Sequence, residues 1–254
     1  MNWKQWKDNI KVHRIIISIL IFSCVLLVVN IEKRTFWMDE TAVLEYLKYN
    51  PIEFLIEYFK FPDNHPPLYY ALVNMVAHIL PSSELTIRLV SVLGALGIVL
   101  MVYTFSRVIW SEKKYAYLSA FFTAFSSYFI LIGQMARYHS LAALFSLIAL
   151  YFFYLLTHGQ WNKKTTVWYV LSAMGTCLAD YPHFIYLIGI TSAYVLYLAL
   201  KKKLVSSLWS WIKIQCLILL SFTPMLWLLF HRILIQGDGG FEKHNLLANS
   251  LLHV

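Results

Sequence analysis

The fold turns on DNHPPLYYALVNMVAHIL, Asp63 to Leu80. From Pro66 onward these residues are apolar enough to enter a bilayer, but as a helix they rise only about 22 Å against a hydrocarbon core of about 30 Å. They also carry Asn74 and His78, which are costly in lipid. Whether this segment crosses decides the side of the membrane on which every later loop lies. The opening residues pose a second question: an Asp, an Asn, a His and two prolines stand together directly before an apolar helix.

Working outward, the chain reads as a membrane protein. It is 59% hydrophobic and 17% aromatic with only 13% charged residues, where soluble domains carry about 25%, and its mean hydropathy is +0.61. The sequence predicts an all-α, polytopic integral membrane protein with about seven transmembrane helices, at 15–31, 86–107, 115–132, 139–157, 166–181, 184–200 and 212–231. Short clusters of Lys and Arg fall between them.

Charge decides the reading of 66–80. If it does not cross, the cytoplasmic loops collect Lys4, Lys7, Lys11, Arg14, Arg107, Lys113, Lys114, Lys163, Lys164, Lys201, Lys202, Lys203 and Lys213, which is 13 of the 21 basic residues, with only Asp8 and Glu112 of the acids. The positive-inside rule is then obeyed. If it crosses, Lys201, Lys202 and Lys203 move to the outer face with most of the other basic residues. The segment is therefore read as an interfacial helix, the N-terminus as cytoplasmic, and residues 32–85 as one large extracytoplasmic loop. That loop holds further short helices: in PIEFLIEYFK, Ile52, Leu55, Ile56 and Phe59 recur at helical spacing opposite Glu53, Glu57 and Lys60. The chain 1–254 is expected to form a single membrane-embedded domain.

Several function classes drop out. The net charge of +8 comes from residues flanking apolar spans, not from a basic stripe interleaved with aromatics, so no nucleic-acid partner is expected. Cys24, Cys177 and Cys216 lie in apolar segments without CxxC spacing, which supports neither a zinc site nor a disulfide framework. The basic N-terminus followed by an apolar run lacks small-residue cleavage chemistry and reads as a retained signal anchor.

With that topology four polar features reach one depth at the outer surface. They are Asp39 and Glu40 in FWMDET, His65 in DNHPP, Arg137 and His139 in GQMARYHS, and Asp180 and His183 in LADYPHF. Each has an ordinary reading. Acids in a first turn favour the helix dipole, Pro66 and Pro67 can simply start a helix, and a single interfacial Arg commonly snorkels to lipid phosphate. Asp180 is harder to dismiss, because a carboxylate at a span end needs water or a partner. Together the set suits one chemistry: a lone carboxylate as general base for an acceptor hydroxyl, and an Arg to stabilise a phosphate leaving group. A sugar leaving a lipid phosphate departs as an anion, so no second carboxylate is required as acid.

These residues also carry a resemblance. The chain resembles the GT-C class of membrane glycosyltransferases that use polyprenyl-phosphate sugars, among them the protein O-mannosyltransferases and the aminoarabinose transferase of lipid A. FWMDETAVLEYL is similar to that family's Asp-Glu motif, DNHPPLYYALVNMV to its His-Pro-Pro-Leu-Tyr-Tyr helix, GQMARYHSLAALFSLIALYFF to its Gln-Glu-Ala-Arg-x-Tyr segment and ADYPHFIYL to its Tyr-Thr-His-Tyr-Phe corner. Met135 and Pro182 stand where many bacterial relatives have Glu and Thr. The resemblance implies Asp39 as catalytic base with Glu40 supporting it or helping bind donor or metal. It implies His65 and Arg137 at the donor phosphate, with Tyr138, Asp180 and His183 in substrate binding. The implied reaction inverts the anomeric centre on the extracytoplasmic face, and the implied partners are a polyprenyl-phosphate-linked sugar, an acceptor lipid, glycan or protein, and membrane lipids. No cofactor is fixed, and a divalent metal between Asp39 and His65 stays open. Relatives continue through further spans, so the chain is expected to be an N-terminal part or a shortened member. The rival readings are a transporter or flippase of lipid-linked sugars, which would place polar residues at mid-membrane in broken helices, and a noncatalytic envelope-assembly protein.

Overall fold

A computed structural model describes residues 3–60, 65–81, 83–158, 162–201 and 205–237. Asp63 and Asn64, Lys202 and Lys203, and the polar stretch 238–254 lie outside the described residues. Within them the chain is all-helical. The eleven α-helices are α1 (Trp3–Val28), α2 (Met38–Tyr46), α3 (Pro51–Lys60), α4 (Leu68–Ile79), α5 (Glu84–Ile109), α6 (Lys113–Phe125), α7 (Ser127–Gly133), α8 (His139–Thr157), α9 (Lys163–Ala179), α10 (Tyr181–Leu200) and α11 (Val205–Gly237). A short 3-10 turn, Ile31–Lys33, follows α1.

Every expected span is helical, but four segments are long and apolar enough to cross on their own: Arg14–Lys33, α5, α8 and α10. A fifth requires α6 and α7 to act together, and these are bent by 63°. The uninterrupted helix expected over 115–132 is thus broken at Ser126. Its backbone is extended, at φ −66° and ψ 120°, and its hydroxyl accepts from the amide of Phe129 to start α7. A serine that caps a new turn competes with continuation of the old one. Helix α9 has 17 residues, about 26 Å of rise, and is short for a full crossing. Four spans, or five with the bent pair, mark an integral membrane protein.

The deciding segment is shorter than its apolar run. Helix α4 has 12 residues, about 18 Å of rise, which is too little to cross 30 Å of hydrocarbon. Pro67 precedes it, where a missing N–H costs nothing. Tyr69, Tyr70, Val73 and Asn74 are its buried residues, and it packs on α5, α2, α3 and α9. The Asn74 amide group donates to the carbonyls of Tyr46 and Tyr49 at 2.8 and 2.9 Å, tying the end of α2 to α4.

In α3, Phe54 and Tyr58 turn inward, while Ile52, Leu55, Ile56 and Phe59 form an exposed apolar stripe. Phe54 meets Tyr46 edge-on at 5.3 Å. The Tyr58 hydroxyl donates to the carbonyl of His65 at 2.6 Å, fastening the residue ahead of Pro66.

Three apolar clusters hold the molecule. One joins α1 and α5–α7 around Leu27, Ala95 and Val99. A second joins α8–α11 around Phe153, Tyr169 and Trp211. The third lies under α2–α4 and includes Val43, Tyr69, Ala136 and Leu141. Helices α5 and α8 approach closely at Gly94, where a Cβ would stand 3.2 Å from the backbone of Ser140 and Leu141. Small residues permit such approach between membrane helices. Polar pairs also lie among the helices, as where the Gln215 amide donates to the Tyr169 hydroxyl at 3.1 Å. Cys24, Cys177 and Cys216 are free thiols.

Candidate active site

All four polar features meet at the end of the helices covered by α2–α4. Helix α2 begins at Met38, and in its first turn Asp39 is exposed and Glu40 fully buried. Among the described residues no donor meets the Asp39 carboxylate. Both oxygens of Glu40 are committed. Oε2 accepts from the amide of Trp37 at 3.0 Å, capping α2, and Oε1 accepts from the amide of Ala136 at 2.6 Å and from Arg88 Nε at 3.3 Å. Such a carboxylate is tolerated in the interior because its charge is paired and its lone pairs are used.

Arg137 is 8% exposed and does not snorkel. Nη1 donates to the carbonyl of Asp39 at 2.8 Å, and Nη2 lies 3.4 Å from His65 Nε2. A guanidinium only donates, so in this contact His65 Nε2 is the accepting partner. The His65 ring also lies against Tyr138, at 4.3 Å between centroids and 34° between planes, with the Tyr138 hydroxyl 3.5 Å from Nε2. The Tyr138 ring in turn lies under the Arg137 guanidinium, 4.9 Å from Cζ, in cation–π range. Burial pushes the Tyr138 phenol up, Arg137 opposes that, and the negative charges of Asp180 and Asp39 reinforce it. The phenol therefore stays protonated, a neutral donor beside the cation.

Asp180 caps α10. Oδ2 accepts from the amide of His183 at 3.2 Å and from the His183 ring Nδ1 at 2.6 Å, while Oδ1 is buried without a partner. His139, at the start of α8, lies within electrostatic reach of Arg137, Asp180, His183 and His65. These four features come from regions far apart in sequence, and their charges act on one another. Among the described residues no three of His, Cys, Asp and Glu group so as to hold a metal ion. Asp39 and His65, the pair considered for one, have no third such ligand there, and Asp63 lies outside the described residues.

The sequence reading did not single out Arg88 or Ser91. Arg88 is fully buried in the first turns of α5 and is bonded to Glu40, to Glu84 at 2.9 Å and to backbone carbonyls of Ile31 and Arg34. Its one local sign is spacing, since Glu84 and Arg88 sit at i and i+4 on a helix. The Ser91 hydroxyl donates to the carbonyl of Arg137 at 3.0 Å and pairs with Tyr69 at 2.8 Å.

The arrangement sets an exposed carboxylate beside a receptor made of a guanidinium, an imidazole and a protonated phenol. That receptor is suited to an anion such as a phosphate monoester or diester. Comparison with curated proteins and with solved structures yields no match. A family model described as dolichyl-phosphate-mannose-protein mannosyltransferase matches residues 64–228. The matched region includes His65, Arg137, Tyr138, Asp180 and His183; Asp39 and Glu40 precede it and join it through Arg137 and Ala136. The chain therefore belongs to the dolichyl-phosphate-mannose-protein mannosyltransferase family, a GT-C family of membrane glycosyltransferases that depend on a polyprenyl-phosphate sugar.

Proposed function

We propose that the protein transfers a sugar from a polyprenyl-phosphate carrier to an extracytoplasmic hydroxyl of a lipid, glycan or protein, with inversion at the anomeric carbon. Asp39 takes the proton of the acceptor hydroxyl as its oxygen attacks C1. The C1–O bond to phosphate breaks, and its electron pair leaves on the phosphate. Arg137, His65 and Tyr138 receive that phosphate, and Asp180 and His183 line the sugar or acceptor side. Residues 32–85 form the extracytoplasmic cap of a single membrane domain that crosses seven times, with the N-terminus in the cytoplasm.

One observation carries the reading: the exposed Asp39 carboxylate sits on the residue whose own carbonyl is held by Arg137, so base and phosphate receptor are neighbours by construction. Positioned general bases contribute roughly 10² to 10⁴ in rate. Asp39→Asn should therefore abolish transfer, measured with candidate polyprenyl-phosphate sugars in membranes, while membrane insertion and donor binding persist. Full transfer by that variant would remove Asp39 as the base.

A further inference from the structure

We infer that Arg88 is a positioning residue that sets the spacing of base and phosphate receptor through Glu40, a role resting on the function proposed above. Four observations converge on it. Arg88 is fully buried, and its guanidinium reaches Glu40, Glu84 and the carbonyls of Ile31 and Arg34, with the Phe36 ring 4.6 Å from Cζ. Those partners span the whole passage from the end of α1 into α2, so one side chain on α5 holds the segment that delivers Asp39. Glu40 then bonds the amide of Ala136 at 2.6 Å. Asp39 and Arg137 are the chain neighbours of the two residues that this bond joins, and Arg137 closes the loop by donating to the carbonyl of Asp39 at 2.8 Å.

The result is a closed circuit from Arg88 to Glu40 to Ala136, along the chain to Arg137, and back to Asp39. Neither Arg88 nor Glu40 needs to touch substrate. Their buried charges are matched to each other and to fixed backbone groups, and such geometry is stiff because every alternative strands a charge in the interior. A base and an anion receptor held this way keep the separation that the reaction needs.

The test uses the full-length protein and two variants. Arg88→Lys keeps the charge but cannot span the carbonyls and both acids with one planar fork. Glu40→Leu combined with Arg88→Met removes both charges together, a change that buried ion pairs often tolerate, and so guards against simple misfolding. In folded protein, kcat should fall by about 10- to 100-fold, as sub-ångström to ångström misplacement does, with little change in the donor KM. Hydrogen exchange should quicken in peptides covering 31–41 and 134–138, where the amides of Trp37 and Ala136 now bond Glu40, and stay unchanged in α8 and α9.

Parental kcat with parental exchange in either folded variant would overturn the inference. So would kcat and KM that, per folded molecule, match the parent while only the thermal midpoint drops, since that is a purely structural role. If the parent protein itself transfers no sugar from any polyprenyl-phosphate donor, the functional reading fails on its own. The exchange measurement still decides whether Arg88 holds the Asp39 segment.

Discussion

At the residue scale Arg137 is the most informative side chain. An interfacial Arg ordinarily extends to lipid phosphate, because its stem prefers hydrocarbon and its head prefers water. This one folds inward to the Asp39 carbonyl and the His65 ring, and its Nε is buried without a partner. A cation with unused donor capacity beside an exposed carboxylate is matched to an incoming anion. Hydrogen bonds to charged groups are worth about 1.5–3 kcal/mol each, so Arg137→Ala should weaken binding of a polyprenyl-phosphate sugar by at least about tenfold in a direct binding assay. Unchanged donor affinity would limit Arg137 to holding the Asp39 segment. The residues themselves were legible in sequence, since Asp39, His65, Arg137 and His183 are conspicuous in apolar surroundings. Arg88 was not legible. Its partner Glu40 is 48 residues away, and a lone Arg at the start of an apolar helix looks like one more loop charge. Glu40 was read as supporting Asp39 or helping bind donor or metal; both of its oxygens turn out to be occupied by protein donors.

At the scale of elements the helix ends do most of the placing. Asp180 is at once the N-cap of α10 and the partner of His183, and the two duties can be separated. Asn caps about as well as Asp, whereas Ala at an N-cap costs about 1 kcal/mol. Asp180→Asn should therefore leave the thermal midpoint in detergent close to that of the parent, and Asp180→Ala should lower it. If the carboxylate charge serves the site, both variants should lose transfer to a similar extent. Asn at parental activity would confine Asp180 to capping. The apolar runs and periodicity located the spans and the helix at 51–60, but they merged α6 and α7 into one segment and did not set every boundary. Ser126 looked like a small residue inside a span, because a capping serine and a buried serine are the same letter until the chain's direction is known. Helix α4 was shorter than its apolar run for a related reason. Pro67 sets where it starts, and apolarity continues beyond the last residue that can keep helical geometry.

At the scale of the whole molecule, the membrane class was legible from composition, and the assembly of distant loops at one end from charge counting and proline placement. The number of crossings was less so. The α6–α7 pair has the hydropathy of a span without its straightness, and Lys163–Ala179 lacks the length. The orientation proposed above rests on the positive-inside argument and can be tested at two points together. In a background with Cys24, Cys177 and Cys216 changed to Ala, Glu53→Cys places a thiol at an exposed position of α3, and Lys164→Cys places one at an exposed position in the first turn of α9. An impermeant maleimide added to intact cells should label the first and spare the second, which should react only after permeabilisation. Labelling of both from outside would mean that α4 crosses after all, because the loop before it would keep its side and every loop after it would change. Labelling of the second alone would invert the whole molecule and turn Asp39 toward the cytoplasm. The expected pattern is the one in which a 12-residue α4 stays at the surface. In that arrangement the proline pair, the Asn74 clamp and the Tyr58 hydrogen bond serve to hold His65 against Arg137.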